Sequence, residues 1–150
     1  MNRRTLISAF ALVPLLFYSA PGFAASSEID TGAMAGVALG GNDAVSYFSG
    51  APAPGKAEFS TSWKGAEWHF ANAANRDAFS AAPEKYAPQY GGYCAFAVSK
   101  GSTAPGDPSV WTLHEGKLYM NLSPAVKSRW SKDIAGNISA ANANWPKVLN

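Results

Sequence analysis

The sequence of 150 residues holds one cysteine, Cys94, and two histidines, His69 and His114. A single cysteine excludes a disulfide within the chain. It leaves four readings of the thiol: a buried small hydrophobe, a reactive group, a metal ligand, or half of an intermolecular bridge. One Cys and two His also fall short of the four ligands of a structural zinc site. No Gly-x-Ser-x-Gly elbow, Gly-Lys-Ser/Thr phosphate loop or His-Glu-x-x-His pair occurs, so the enzyme classes built on them drop out. No apolar run reaches the roughly 20 residues of a membrane-spanning helix. A non-enzymatic role is the expectation.

The start of the chain reads as an export signal. Arg3-Arg4 precede an apolar stretch from Thr5 to Tyr18, and Gly22-Phe23-Ala24 offers small residues for cleavage after Ala24. Residues 1–24 are therefore expected to be a signal peptide and the product periplasmic or secreted, with no stable membrane insertion after cleavage. Lys+Arg 12 against Asp+Glu 10 becomes an even balance once Arg3 and Arg4 are gone. A neutral chain with scattered cations makes a poor partner for nucleic acid or anionic lipid. An unpaired cysteine is unusual in an oxidising compartment, which gives Cys94 its interest.

What is present is aromatic. All five tryptophans lie after Ala24, enough for one packed domain. Residues 25–38, mostly Ala, Ser and Gly, read as a flexible lead-in, with order beginning near Leu39. Phe59–Trp63 and Ala66–Phe70 flank Lys64-Gly65 as one β-hairpin, and Val110–His114 and Lys117–Asn121 flank Glu115-Gly116 as a second. Each is followed by a helix start. Asn72 or Asn75 caps a helix that runs through Phe79 to Pro83. Ser123-Pro124 starts another, carrying Val126, Trp130 and Ile134 and ending at Gly136, and a last helix is predicted from Asn137. The class is α+β: a small single domain of two antiparallel hairpins packed by helices.

The two hairpin-helix units align at an offset of 51 residues, with Trp68 on Tyr119, His69 on Met120, Asn72 on Ser123 and Phe79 on Trp130. An internal duplication and a chance match of two equal-length units both account for this. Trp68 and Phe70 share one strand face, which turns His69 to the other with Glu67. His114 sits beside a turn and is expected in solvent. Asp43, Asp77, Glu84 and Asp133 read as ordinary surface carboxylates. Asp77 and Glu84 are placed to pair with Arg76 or Lys85.

The runs Asp43-Ala44-Val45-Ser46-Tyr47-Phe48, Trp68-His69-Phe70, Asn75-Arg76-Asp77-Ala78-Phe79 and Pro83-Glu84-Lys85-Tyr86 resemble the YHS domain. The longer stretch, through Tyr90-Gly91-Gly92-Tyr93-Cys94-Ala95 to Asn144-Trp145-Pro146, resembles an exported bacterial branch of that family, in which the Cys94 position can be selenocysteine. The resemblance covers residues 39–150 and implies an association with heavy-metal and copper handling. The family's cysteine positions are occupied here by Ser46, Ala71 and Asn75, so the thiolate cluster is missing. Cys94 remains, with His69 and Met120 as further donors for a soft ion such as copper. The leading expectation is an exported binding module for a soft transition metal. The competing ones are a thiol-redox protein using Cys94 and a domain that binds a periplasmic protein partner, with Cys94 as packing. Gly91-Gly92 and a short element through Ala95–Val98 would let the thiol sit over free backbone N–H groups.

Overall fold

The computed structural model describes residues 25–150, and the expected signal peptide, residues 1–24, lies outside them. Strands β1 (Lys56–Trp63) and β2 (Ala66–Phe70) form one antiparallel hairpin, and β3 (Asp107–His114) and β4 (Lys117–Asn121) form another. Helices α1 (Ala73–Ala81), α2 (Pro83–Tyr86), α3 (Ala95–Ser99), α4 (Pro124–Trp130) and α5 (Ile134–Asn144) pack them. The architecture is the expected α+β. Both hairpin turns place two residues at positive φ, Lys64 and Gly65 at 48° and 76°, Glu115 and Gly116 at 49° and 74°. That is the tight turn whose twist matches the strands it joins.

Two aromatic clusters make the core. Tyr47, Trp68, Phe70 and Phe79 form the first, and Tyr90, Val98, Tyr119 and Trp130 the second. Strand β4 lies between them: alternation sends Leu118 and Met120 into the first cluster and Tyr119 into the second. Each fully buried large side chain contributes about 1.5–3 kcal/mol.

Helix starts follow their caps. Asn72 Oδ1 accepts from Asn75 N at 2.9 Å to open α1, and Ser123 Oγ accepts from Val126 N at 3.2 Å to open α4. The helix from Pro124 stops at Trp130, however, not at Gly136, and α5 begins at Ile134, not Asn137. Asp133 is the reason. Its backbone leaves the helical region, at φ −150° and ψ 74°, and its carboxylate accepts from Gly136 N at 2.9 Å, so this exposed residue is an N-cap and Gly136 lies in the first turn. The expected lead-in is also packed from its early residues. Ile29 is buried, Asp30 N donates to Gly91 O at 2.8 Å, and Asp30 Oδ2 accepts from Gly106 N at 2.8 Å.

The offset of 51 residues is an internal duplication. It extends upstream of the hairpins, where Leu39, Gly40 and Gly41 have φ of 54°, 58° and 85° and Tyr90, Gly91 and Gly92 have 57°, 62° and 88°. Leu and Tyr avoid that region at a cost of about 1–2 kcal/mol, so a shared excursion at matched positions argues against chance. Asp43 N donates to Ala53 O, and Cys94 N to Ala104 O, both at 2.9 Å. The strand irregularity recurs as well: pairing jumps between Lys56 and Ser60 in one hairpin and between Asp107 and Trp111 in the other. By this correspondence Cys94 is the counterpart of Asp43.

Asp43 is fully buried, contrary to its reading as a surface carboxylate. Its Oδ1 accepts from Val45 N at 2.8 Å and Ser46 N at 3.3 Å, and its Oδ2 from Ala71 N at 2.9 Å and Asn75 Nδ2 at 2.7 Å. One carboxylate thus ties the loop before β1 to the end of β2 and the start of α1. Removing it strands several buried donors at about 1–3 kcal/mol each. Asp43→Ala should therefore lower the unfolding free energy by at least about 3 kcal/mol in urea titration. Asp43→Asn, which aims an NH2 at other donors, should fall in between.

Tyr47 joins the two copies, its hydroxyl donating to Pro108 O at 2.7 Å. Burial, and secondarily Asp107, holds this phenol well above its ordinary range; burial and Tyr119 do the same for Tyr90. Above pH about 10 the unfolded chain loses phenolic protons that the folded one keeps, so stability falls as pH rises. Denaturation midpoints should drop between pH 9 and pH 11 by this linkage, and Tyr47→Phe should flatten the drop.

Candidate functional site

Cys94 stands at the N-cap of the five-residue helix α3, after the left-handed turn of Tyr90–Gly92. It is 1 % exposed. Its thiol does not cap the helix, as the sequence had led us to expect. The N–H of Phe96 is instead taken by Asn121 Oδ1 at 3.3 Å, and the Cys94 Sγ donates to the same oxygen at 3.5 Å. A thiolate could not make that bond, because both atoms would be acceptors. Asn121 Nδ2 is buried with no partner among the described residues.

The duplication explains this arrangement. In the first copy Val45 N bonds to Asp43, the loop residue. In the second its counterpart, Phe96 N, bonds to Asn121, at the strand position that Phe70 fills in the first copy. The polar anchor sits in the loop in the first copy and at the end of the strand in the second, and Cys94 stands at the loop position, facing Asn121.

Of the two other donors, Met120 is brought to Cys94 and His69 is placed differently. Cys94 and Met120 form a parallel bridge between the loop and β4, and Met120 is buried. His69 lies on the outward face of β2, its side chain 12 % exposed, with Nε2 at 2.6 Å from Glu67 Oε1. His114 is half-exposed, 3.9 Å from Glu115. Arg76 Nε donates to Asp77 Oδ1 at 3.1 Å, the exposed pair expected for Asp77. Such a pair is worth little in stability.

The three positions at which the resemblance would place cysteine, Ser46, Ala71 and Asn75, converge, but on a carboxylate. Ser46 N, Ala71 N and Asn75 Nδ2 all donate to Asp43. The Ser46 hydroxyl is also committed, donating to Asp43 O and accepting from Ala53 N at 2.9 Å. These residues are already paired among themselves and do not fit a thiolate-bound metal. Among the described residues no three His, Cys, Asp or Glu side chains gather as a metal site. A groove of about 530 Å³ opens elsewhere, walled by Trp63, Tyr90 and Trp145 and rimmed by Lys64, Glu84 and Lys117. Neither Cys94, His69 nor Met120 lines it.

Asp43 and Asn121 are the residues that reading the sequence missed. The signal was present: extending the 51-residue alignment upstream sets Leu39-Gly40-Gly41 on Tyr90-Gly91-Gly92 and Asp43 on Cys94. Buried as it is, Cys94 should react with iodoacetamide at least about a hundredfold slower in the native protein than in urea, its rate set by local opening. Comparable rates in the two states would show an open thiol.

No helix among the described residues is long and apolar enough to cross a membrane. No curated protein and no solved structure matches the chain significantly. Residues 45–90 match the family model of the YHS domain. The match runs from just after Asp43 to Tyr90 and ends before Cys94, so the similarity to the YHS domain covers the first hairpin-helix unit.

Proposed function

We propose that the protein is a non-catalytic binding module acting outside the cytoplasm, in the exported branch of the family, and that its ligand is a soft transition metal ion such as copper. The observation that supports this is the adjacency of Cys94 and Met120, a thiol and a thioether on bridged neighbours. Sulfur donors of this kind favour Cu(I) over harder ions. The YHS family is often suggested to bind metal, and this pair would serve in place of the missing cysteines. The ion would replace the thiol proton and break the bond to Asn121, so binding would release a proton and need local opening.

Two other readings stand at different distances from the structure. A domain that binds a protein partner, with Cys94 as packing, is favoured by the Cys94–Asn121 bond and by the aromatic groove, which contains none of the metal donors. A redox thiol is the weaker reading. The Cys94 sulfur is withdrawn from solvent, and its polar partner is a carboxamide, which cannot take its proton.

Titration of the mature protein with Cu(I) under anaerobic, reducing conditions separates the first two. The metal reading expects one ion per chain at Cys94, with Cys94→Ser weakening that event by about a hundredfold or more, since the thiolate is the strong ligand. Met120→Leu should weaken it less. Unchanged binding in Cys94→Ser removes the metal role from this residue and leaves the partner-binding reading.

A further inference from the structure

The outer face of β2 carries a second set of soft donors. We propose that His69 and Met34 form a two-donor site near the surface for a monovalent soft ion, Cu(I) or Ag(I), built over Gly41. This site shares the ligand class of the proposed function but none of its residues.

Three observations meet there. Glu67 Oε1 lies 2.6 Å from His69 Nε2. A carboxylate only accepts, so Nε2 carries the proton, and in the neutral form of the ring Nδ1 keeps its lone pair on the other side. Metal-binding histidines are commonly held this way, the far nitrogen donating to a carboxylate that fixes tautomer and ring angle. Second, a Cβ on Gly41 would lie 3.6 Å from His69 Nδ1 and 3.6 Å from Met34 Sδ. The imidazole nitrogen and the thioether therefore face a common space that stays open because residue 41 is glycine. Third, Met34 is 44 % exposed, one of two large apolar side chains left so open among the described residues.

The backbone holds the two donors in place. The turn at Met34–Val37 closes through Val37 N to Met34 O at 2.9 Å and is fixed on β2 by Glu67 N to Gly36 O at 2.9 Å. Gly41 follows from the left-handed turn that also precedes Asp43. The duplicate shows the face to be specialised. At the positions of Glu67 and His69 the second copy has Leu118 and Met120, which are core residues. Only the first copy turns a carboxylate-oriented imidazole outward.

Imidazole and thioether together suit a low-coordinate soft ion. Neither donor can be lost to a disulfide in an oxidising compartment. With two protein donors and an open side, the site fits an ion that is received and passed on.

The test uses the mature protein with 15N-labelled histidine in chloride-free buffer, titrated with Ag(I) as a redox-inert probe and then with Cu(I) under anaerobic conditions. The proposal expects the Nδ1 resonance of His69 to move with the first added ion, along with the Met34 methyl. His69→Ala and Met34→Leu should each weaken this event by about tenfold or more, and Glu67→Gln should weaken it by about tenfold, the usual loss when such an orienting partner is removed. Met34 is exposed, so Met34→Leu keeps the fold and remains informative if His69→Ala does not. Cys94→Ser should leave the His69 shift unchanged. A static His69 resonance, or equal affinity in wild type and Met34→Leu, overturns the proposal. If ions bind but only Cys94→Ser removes them, this site fails and the Cys94 reading stands. If only the His69 and Met34 variants lose binding, the reverse holds.

Discussion

One buried carboxylate sets the conditions for the first half of this fold. Asp43 is out of water with no cation against it, and it persists because four donors reach its two oxygens. Those donors come from the turn after it, the end of β2 and the first turn of α1. None could shift without leaving a buried charge poorly satisfied, a penalty of several kcal/mol. The helix cap at Asn72, the exit of β2 and the loop to β1 are therefore mutually determined. Trp68, Phe70 and Phe79 pack where they do because these backbone junctions bring one strand face against one helix.

The second half meets the same backbone with different chemistry. Its left-handed turn, its loop-to-loop hydrogen bond and its offset hairpin repeat those of the first, yet it has no buried acid at the loop. Asn121 supplies the acceptor from the strand instead, which leaves position 94 free to hold a small thiol. Cys94 is thus defined first by what it replaced. A residue released from the anchoring task can change without loss of the turn, and a thiol, a selenol or a small apolar group would each fit a site whose backbone is held from across the gap.

Much of this was legible in the sequence, and what was not has a physical reason. The hairpins, the Asn72 and Ser123 caps and the outward direction of His69 follow from local rules: two-residue turns with glycine, side chains that cap, and strand alternation. The break after Trp130 did not follow, because Asp133 competes with helix continuation through its own side chain, and an Asp after a helical run gives no sign of that locally. Asp43 looked like a surface acid because its partners Ala71 and Asn75 lie about thirty residues away and three of its four donors are backbone amides. The lead-in looked flexible by composition. Asp30 ties it to backbone groups at Gly91 and Gly106, and Glu67 N to Gly36 O fixes it on β2. Contacts from side chains to distant backbone leave little trace in a single sequence.

Duplication has also divided the chemistry between the copies. In the second, the strand position after the aromatic carries Met120 and turns it inward, with its backbone bridged to that of Cys94. In the first, the same position carries His69 and turns it outward, oriented by Glu67 and facing Met34. Equivalent strand positions thus hold a buried thioether and an outward-turned imidazole. The fold alone would make them alike, since hairpin, bulge and turn agree. The difference comes from which hairpin is covered: β4 lies between both core clusters, whereas β2 has one face against the core and one largely free. An ion arriving from solvent would meet the first copy before the second, and only the second would require the protein to open.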